Sequence, residues 1–252
     1  MTVAEIHGKI ASSGSNISDR LEDLLTSDVF GTCKYLRDEL LLFPFLSTAI
    51  SVPTKKAFDL LPLDISISEY SFWPRLSRSE PDLLLHLQSE SDNDLLVMIE
   101  AKYLSGKSGK AYSDDELTTA NTSRDQLARQ LEDLCDFSAR ENIFKIDKPH
   151  RCLFYVTAHR HCPSDSILEA INEFECIRQT AIVPNVYWTS WVKLYDIALS
   201  SLREKINLRE RALLSDICLL LKRKGLVKFS GFASITSVSF LRTHTLTSVT
   251  SW

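Results

Sequence analysis

The sequence predicts an α/β fold: a central mixed sheet flanked by helices, with a helical extension at its C-terminal end. Three observations predict it. The apolar pattern changes from helical to period two at Ile65. Two apolar runs, Leu83 to Leu87 and Leu95 to Ile99, are joined by the polar stretch Ser89-Glu90-Ser91-Asp92-Asn93, as in a β-hairpin. Beyond that hairpin, helical and strand-like segments alternate. The 252 residues, 44% hydrophobic and 25% charged, suit one core that folds by itself.

In order, Ser18 reads as the N-cap of an opening helix whose Leu21, Leu24, Leu25, Val29 and Phe30 share a broad face. Gly31 leaves open one kinked helix or two, and Pro44 should end the helical pattern. Ile65, Ile67, Tyr70 and Phe72 form a first strand; residues 83–87 and 94–103 form the second and third. Residues 105–122, polar and containing Gly106 and Gly109, read as a long exposed loop. A helix from about Ser123 carries Leu127, Leu131 and Leu134; Arg151 to Thr157 is a buried strand; a helix follows Pro163. Asn185 to Trp191 is the last core strand. From there to Lys224 the chain reads as helical, with Leu213, Ile217, Leu220 and Leu221 on one stripe and Gly225 as the stop. This divides the chain into an extension at 1–17, a core at 18–191, a packed helical extension at 192–229 and a Ser/Thr-rich tail at 230–252.

No apolar run approaches the roughly 18 residues of a membrane span, and the N-terminal residues lack a basic start followed by an apolar stretch. The expectation is a cytoplasmic protein without a membrane partner. Six cysteines, spread without a CxxC pair, are expected to be reduced packing residues. A net charge of −4 argues against a chain that coats nucleic acid nonspecifically and leaves room only for a local basic groove.

Asp82 and the Glu100-Ala101-Lys102 tripeptide carry the chemistry. A hairpin turning about Ser91 pairs residues whose numbers sum to about 182, so Asp82 at the start of one strand faces Glu100 at the end of the next. Glu100 and Lys102, two apart, project from one face. Facing carboxylates disfavour a sheet unless a cation or a lysine lies between them. Hard oxygens suit Mg²⁺, with Mn²⁺ as a substitute, and Mg²⁺ takes one or two protein carboxylates plus waters and phosphate oxygens. Lys102 would then orient an attacking water or stabilise charge on the phosphate. The plain alternative is a solvated salt bridge at a hairpin end.

Pro81-Asp82 followed by Glu100-Ala101-Lys102, between an acidic first helix and a glutamine-bearing later one, resembles the PD-(D/E)XK nuclease superfamily over roughly residues 18–190. The resemblance, to bacterial defence-type members above all, implies a restriction-endonuclease-like αβββαβ core. It also implies Mg²⁺-dependent phosphodiester hydrolysis of nucleic acid, DNA foremost, in restriction or anti-phage defence, with a second copy or a defence-system protein as partner. It implies an acid from the first helix at the metal beside Asp82 and Glu100: Glu22 first, with Asp23 or Asp28 in its place. It also implies a glutamine at the site, matched by Gln126 or Gln130, which share one helix face by their spacing of four. Here Gln126 is taken as the catalytic one, and Gln130 as a nucleic-acid contact with Lys107, Lys110, Arg124 and Arg129, a rim able to steer phosphates. Each has a plain alternative as a surface helix former or loop charge.

Two other functions are weighed. One is a catalytically silent nuclease fold serving as a nucleic-acid- or protein-binding scaffold. The other is a zinc site from His150, Cys152, His159, His161 and Cys162, which the length of the intervening strand disfavours because zinc ligands must converge within a few ångströms. Trp73, Trp188 and Trp191 read as packing residues before base-stacking ones.

Overall fold

The computed structural model describes residues 17–60, 64–90, 93–103, 124–137, 143–144, 149–179 and 184–228, with side chains of the first helix from Leu21 onward. The predicted loop at 105–122, the hairpin turn at Ser91-Asp92 and the tail at 230–252 lie outside these residues.

Six strands form one mixed open sheet in the order β1-β6-β5-β4-β3-β2: β1 Ile50–Ser51, β2 Ile65–Phe72, β3 Leu83–Ser89, β4 Leu95–Lys102, β5 His150–Thr157 and β6 Asn185–Ser190. The meander β2-β3-β4 is antiparallel, and β5 and β6 continue it in parallel with β4. Parallel neighbours need a crossover, and α3, Gln126–Asp136, and α4, Ser164–Arg178, lie in the two connections. Every residue of β4 is buried, as expected of a central strand with both faces covered.

Alternation along the strands sorts the core into two layers. Leu83, Leu85, Leu87, Leu95, Val97, Ile99 and Ala101 face the layer containing α1, Ile17–Cys33, α5, Trp191–Ser201, and α6, Leu208–Arg223. Leu84, Leu96, Met98, Leu153 and Tyr155 face the layer of α3 and α4, where Leu127, Leu131, Ile167 and Phe174 pack. Burying each such leucine or phenylalanine contributes about 1.5–3 kcal/mol. By the same alternation Glu100 and Lys102 belong to the α3 side.

Helix α1 runs unbroken through Gly31 to Cys33, since tertiary packing of its apolar face outweighs the glycine's modest helix cost of about 1 kcal/mol. Pro44 does not end the helical pattern as expected. It sits in the first turn of α2, Leu42–Ser47, where a missing N–H costs no intrahelical bond. The two-residue β1 escapes sequence reading because it is too short to show a period. At the C-terminal end β6 stops at Ser190, not Trp191: the Ser190 hydroxyl accepts from Val192 N at 3.3 Å and caps α5. The helical stretch expected to Lys224 consists of two helices, Trp191–Ser201 and Leu208–Arg223. Asn207 opens α6 with a capping box, its Oδ1 accepting from Glu210 N at 2.9 Å while Glu210 Oε2 accepts from Asn207 N at 3.0 Å. Gly225 follows with φ +70°, the left-handed turn a glycine allows. Leu214, Ile217 and Leu221 bury α6 against α1 and the sheet, and Tyr103 donates its hydroxyl to Lys224 O at 2.7 Å. No helix among the described residues is long and apolar enough to cross a membrane.

Candidate active site

The hairpin register is Leu83↔Ile99 through Leu87↔Leu95, every pair summing to 182. Asp82 therefore enters β3 beside the point where Glu100 leaves the paired stretch, and its Oδ2 accepts from Ala101 N at 2.8 Å. Its other oxygen, Oδ1, accepts from the indole N–H of Trp73 at 3.2 Å, while Trp73 N donates to Asp82 O at 3.1 Å. Trp73 holds φ +43° to make that pair of bonds. This conformation is an outlier for a bulky side chain and costs on the order of 1–3 kcal/mol.

Three further groups meet at the end of β4. Lys102 Nζ lies 2.6 Å from Glu100 Oε1 and 3.0 Å from Glu22 Oε1. Glu22 reaches in from the first turns of α1 and also accepts from Tyr103 N at 2.9 Å. From α3, Gln130 Nε2 donates to Glu100 Oε2 at 2.5 Å. All are buried: Asp82 and Glu22 are 7% exposed, Glu100 1%, Lys102 9% and Gln130 0%. Lys102 is thus paired with two carboxylates, and the Asp82 charge acts on it as a third. Glu100 has an ammonium against Oε1 and an amide N–H on Oε2, and among the described residues Gln130 Oε1 has no hydrogen-bond partner.

Such crowding moves protons. Burial first, then the Glu100 charge, push the Asp82 carboxyl well above its usual range, against the opposing pull of Lys102 and the Ala101 N–H. For Lys102, burial alone would lower the ammonium's pKa, but Glu100, Asp82 and Glu22 together outweigh it and raise it above its ordinary value. Lys102 is therefore a fixed cation and not a base at neutral pH.

Among the acids of α1, the structure places Glu22 at the site; Asp28 instead borders a hollow with Thr32 and Asp216. Of the two glutamines, Gln130 is the one that meets Glu100, and a fully buried side chain does not present itself to a nucleic acid, which corrects its expected role. Gln126 opens α3. Lys107 and Lys110 lie outside the described residues. Arg124 pairs with Glu132 and Glu173, and Arg129 donates to Arg78 O at 3.1 Å, so both serve internal contacts. Trp188 and Trp191 are core residues, 4% and 0% exposed. Sequence reasoning missed Trp73 as a partner of Asp82. It also missed Tyr155, whose register position opposite Glu100 sets its hydroxyl in the field of Lys102, Glu100 and Glu22. The pairing of β5 with β4 spans a crossover, so no local signal marks it.

Among the described residues no group of three or more His, Cys, Asp or Glu side chains is arranged to hold a metal ion. This weighs against zinc, since Cys152 is buried in the sheet and His150 is exposed at the start of β5. Nor are Asp82, Glu100 and Glu22 arranged as such a group of three, so the structure does not place Glu22, held by Lys102 and Tyr103 N, as a third ligand beside the other two. A hard cation asks less, one or two carboxylates. Asp82 and Glu100 fit that demand in donor type, and the excess of acid among the described residues fits it in charge. Comparison of the chain with protein-family models, curated proteins and solved structures finds no match.

Proposed function

We propose that the chain is a Mg²⁺-dependent nuclease of the PD-(D/E)XK kind, hydrolysing phosphodiester bonds of nucleic acid, DNA foremost, in a restriction or defence setting. The observation that carries this is the meeting of Asp82, Glu100, Lys102, Glu22 and Gln130, from β3, β4, α1 and α3, at one buried sheet end where, among the described residues, three acids surround one lysine. The order helix, antiparallel three-strand meander, helix, parallel strand supports a restriction-endonuclease-like core.

In this reading Asp82 and Glu100 hold the cation, which when bound polarises a phosphate oxygen and lowers the pKa of a ligated water. Glu22 holds Lys102 from the far side, so the ammonium stays beside Glu100, placed to stabilise charge on the phosphate. Gln130 fixes the Glu100 carboxylate by its Oε2. The test is cleavage of plasmid, linear duplex, single-stranded DNA and RNA with Mg²⁺, Mn²⁺ or EDTA. Metal-stimulated hydrolysis of one of these is expected.

One observation favours a silent scaffold instead: the Lys102 ammonium is already held between two carboxylates. A scaffold would retain nucleic acid or a protein on a column while showing no metal-stimulated cleavage on any of the four substrates.

A further inference from the structure

The indole of Trp73 stands behind Asp82 in a way that core packing does not require. Trp73 is buried, 6% exposed, against Phe72 at a ring distance of 5.6 Å, and a phenylalanine would fill that role. Yet the residue carries φ +43° immediately before Pro74, where the proline ring drives its predecessor towards extended backbone. A tryptophan keeps such a conformation only where its surroundings over-determine it. What over-determines it here is a two-point grip on one residue: Trp73 N on Asp82 O and Trp73 Nε1 on Asp82 Oδ1, at 3.1 and 3.2 Å. With Ala101 N on Oδ2, both carboxylate oxygens are held, one from each neighbouring segment of the sheet.

We propose that Trp73 is a positioning residue for the metal-ligating acid: its indole N–H fixes the plane of the Asp82 carboxylate so that the remaining lone pairs point to the cation shared with Glu100. The inference rests on the reading of Asp82 and Glu100 as metal ligands. Donors behind a ligating group set its orientation, and their loss weakens metal affinity by roughly 10–100-fold. The other three contacts that shape the site, from Gln130, Glu22 and Ala101, do not depend on Trp73 and should survive its replacement.

The experiment is calorimetric titration of the full chain with Mg²⁺ and Mn²⁺, beside cleavage rates as a function of metal concentration, for wild type, Trp73→Phe and Trp73→His. Phenylalanine keeps the buried ring and loses the donor. Histidine can place Nε2–H where the indole N–H stood. Trp73→Phe is expected to bind metal roughly tenfold more weakly, with the metal concentration for half-maximal cleavage rising in step and the rate at saturating metal little changed. Trp73→His is expected to recover most of the affinity. A folded Trp73→Phe with wild-type affinity overturns the proposal, as does a folded Trp73→His as weak as Trp73→Phe, which would assign the loss to packing. Should Trp73→Phe not fold, Trp73→His decides alone, and its failure to bind metal near wild-type strength overturns the proposal. A wild type that neither binds nor uses metal removes the reading of the site and this inference with it, whereas the first two outcomes remove the inference only.

Discussion

The protein buries two clusters of charge, and they are built on opposite rules. On α3, Asp133, 1% exposed, accepts from Arg78 N at 3.1 and 3.0 Å, from Arg78 Nη1 at 3.2 Å and from Ser79 Oγ at 2.7 Å. Arg78 also meets Glu132 at 3.2 Å and Asp136 at 2.9 Å, while Arg124 and Arg178 pair with Glu132 and Asp136. Acids and arginines nearly balance there, and no buried carboxylate oxygen among them lacks a partner. At the end of β4, among the described residues, Lys102 pairs with Glu100 and Glu22 while the Asp82 charge acts on it as well. A buried charge is tolerated when paired and fully hydrogen-bonded. The α3 cluster pairs its charges, with Arg124 Nε left without a hydrogen bond, and ties the segment leading to Asp82 onto the helix that carries Gln130. In the β4 cluster the described acids outnumber the described cations, and an excess of acid is what a cation site needs.

If the contrast is real, the two clusters must fail differently. Glu100→Ala and Lys102→Ala are expected to lower cleavage on the order of a thousandfold or more, measured at saturating Mg²⁺. They should part company in stability. Lys102→Ala strands three buried carboxylates and is expected to cost about 3–5 kcal/mol without metal, partly restored by Mg²⁺, whereas Glu100→Ala removes excess charge and should melt near wild type. Equal melting of the two in metal-free buffer would count against the described imbalance.

Asp133→Ala should show the reverse profile. Loss of the acid takes the acceptor from Arg78 N and Ser79 Oγ and leaves the Arg78 side chain to Glu132 and Asp136, at a cost of about 1–3 kcal/mol by urea unfolding, and Mg²⁺ should restore none of it beyond what it adds to wild type. The folded fraction should still cleave. Metal rescue of Asp133→Ala would merge the two clusters into one.

A smaller difference is expected in pH. The Asp82 carboxyl is raised in the folded protein by burial and Glu100, so its ionised form costs stability at neutral pH. That cost is relieved as pH falls towards its folded value. For Asp136, burial alone would raise the carboxyl, but Arg178 and Arg78 outweigh it and hold it low. Its contribution is present above the ordinary carboxylate value and is lost as pH falls through the lowered one. Melting of the metal-free protein should therefore improve on mild acidification before it declines, and saturating Mg²⁺, which keeps Asp82 ionised, should flatten the rise. A melting temperature that only falls from neutral pH downwards would contradict the Asp82 half. The smallest effect belongs to the exposed pair Arg75–Glu80, where Arg75 is 91% exposed: Arg75→Ala should stay within about 0.5 kcal/mol of wild type.

The element order and the hairpin register were legible in the sequence because β3 and β4 are largely apolar runs, broken in β3 by His86, and a one-residue slip would turn every side chain to the wrong face. That register alone brings Asp82 to Glu100. Glu22 was legible as one of several acids on α1, and only packing chose it. The break at Asn207 carried a sequence signal, an Asn three residues before Glu210, which the apolar stripe running through 213–221 obscured. Trp73 was not legible, since a tryptophan before proline reads as extended backbone. The Arg78–Asp133 ties span about fifty residues and a crossover, and neither period nor propensity reports such contacts.

The central claim, that an acid-rich end of β4 hydrolyses phosphodiesters with a bound metal, is tested most directly by one comparison. Supercoiled plasmid is incubated with wild type and with Glu100→Ala purified side by side, in Mg²⁺ and in EDTA. The account predicts nicking or linearisation by wild type in Mg²⁺ only, with none by the folded variant. Cleavage by Glu100→Ala at the wild-type rate, or wild-type cleavage undiminished by EDTA, would contradict it.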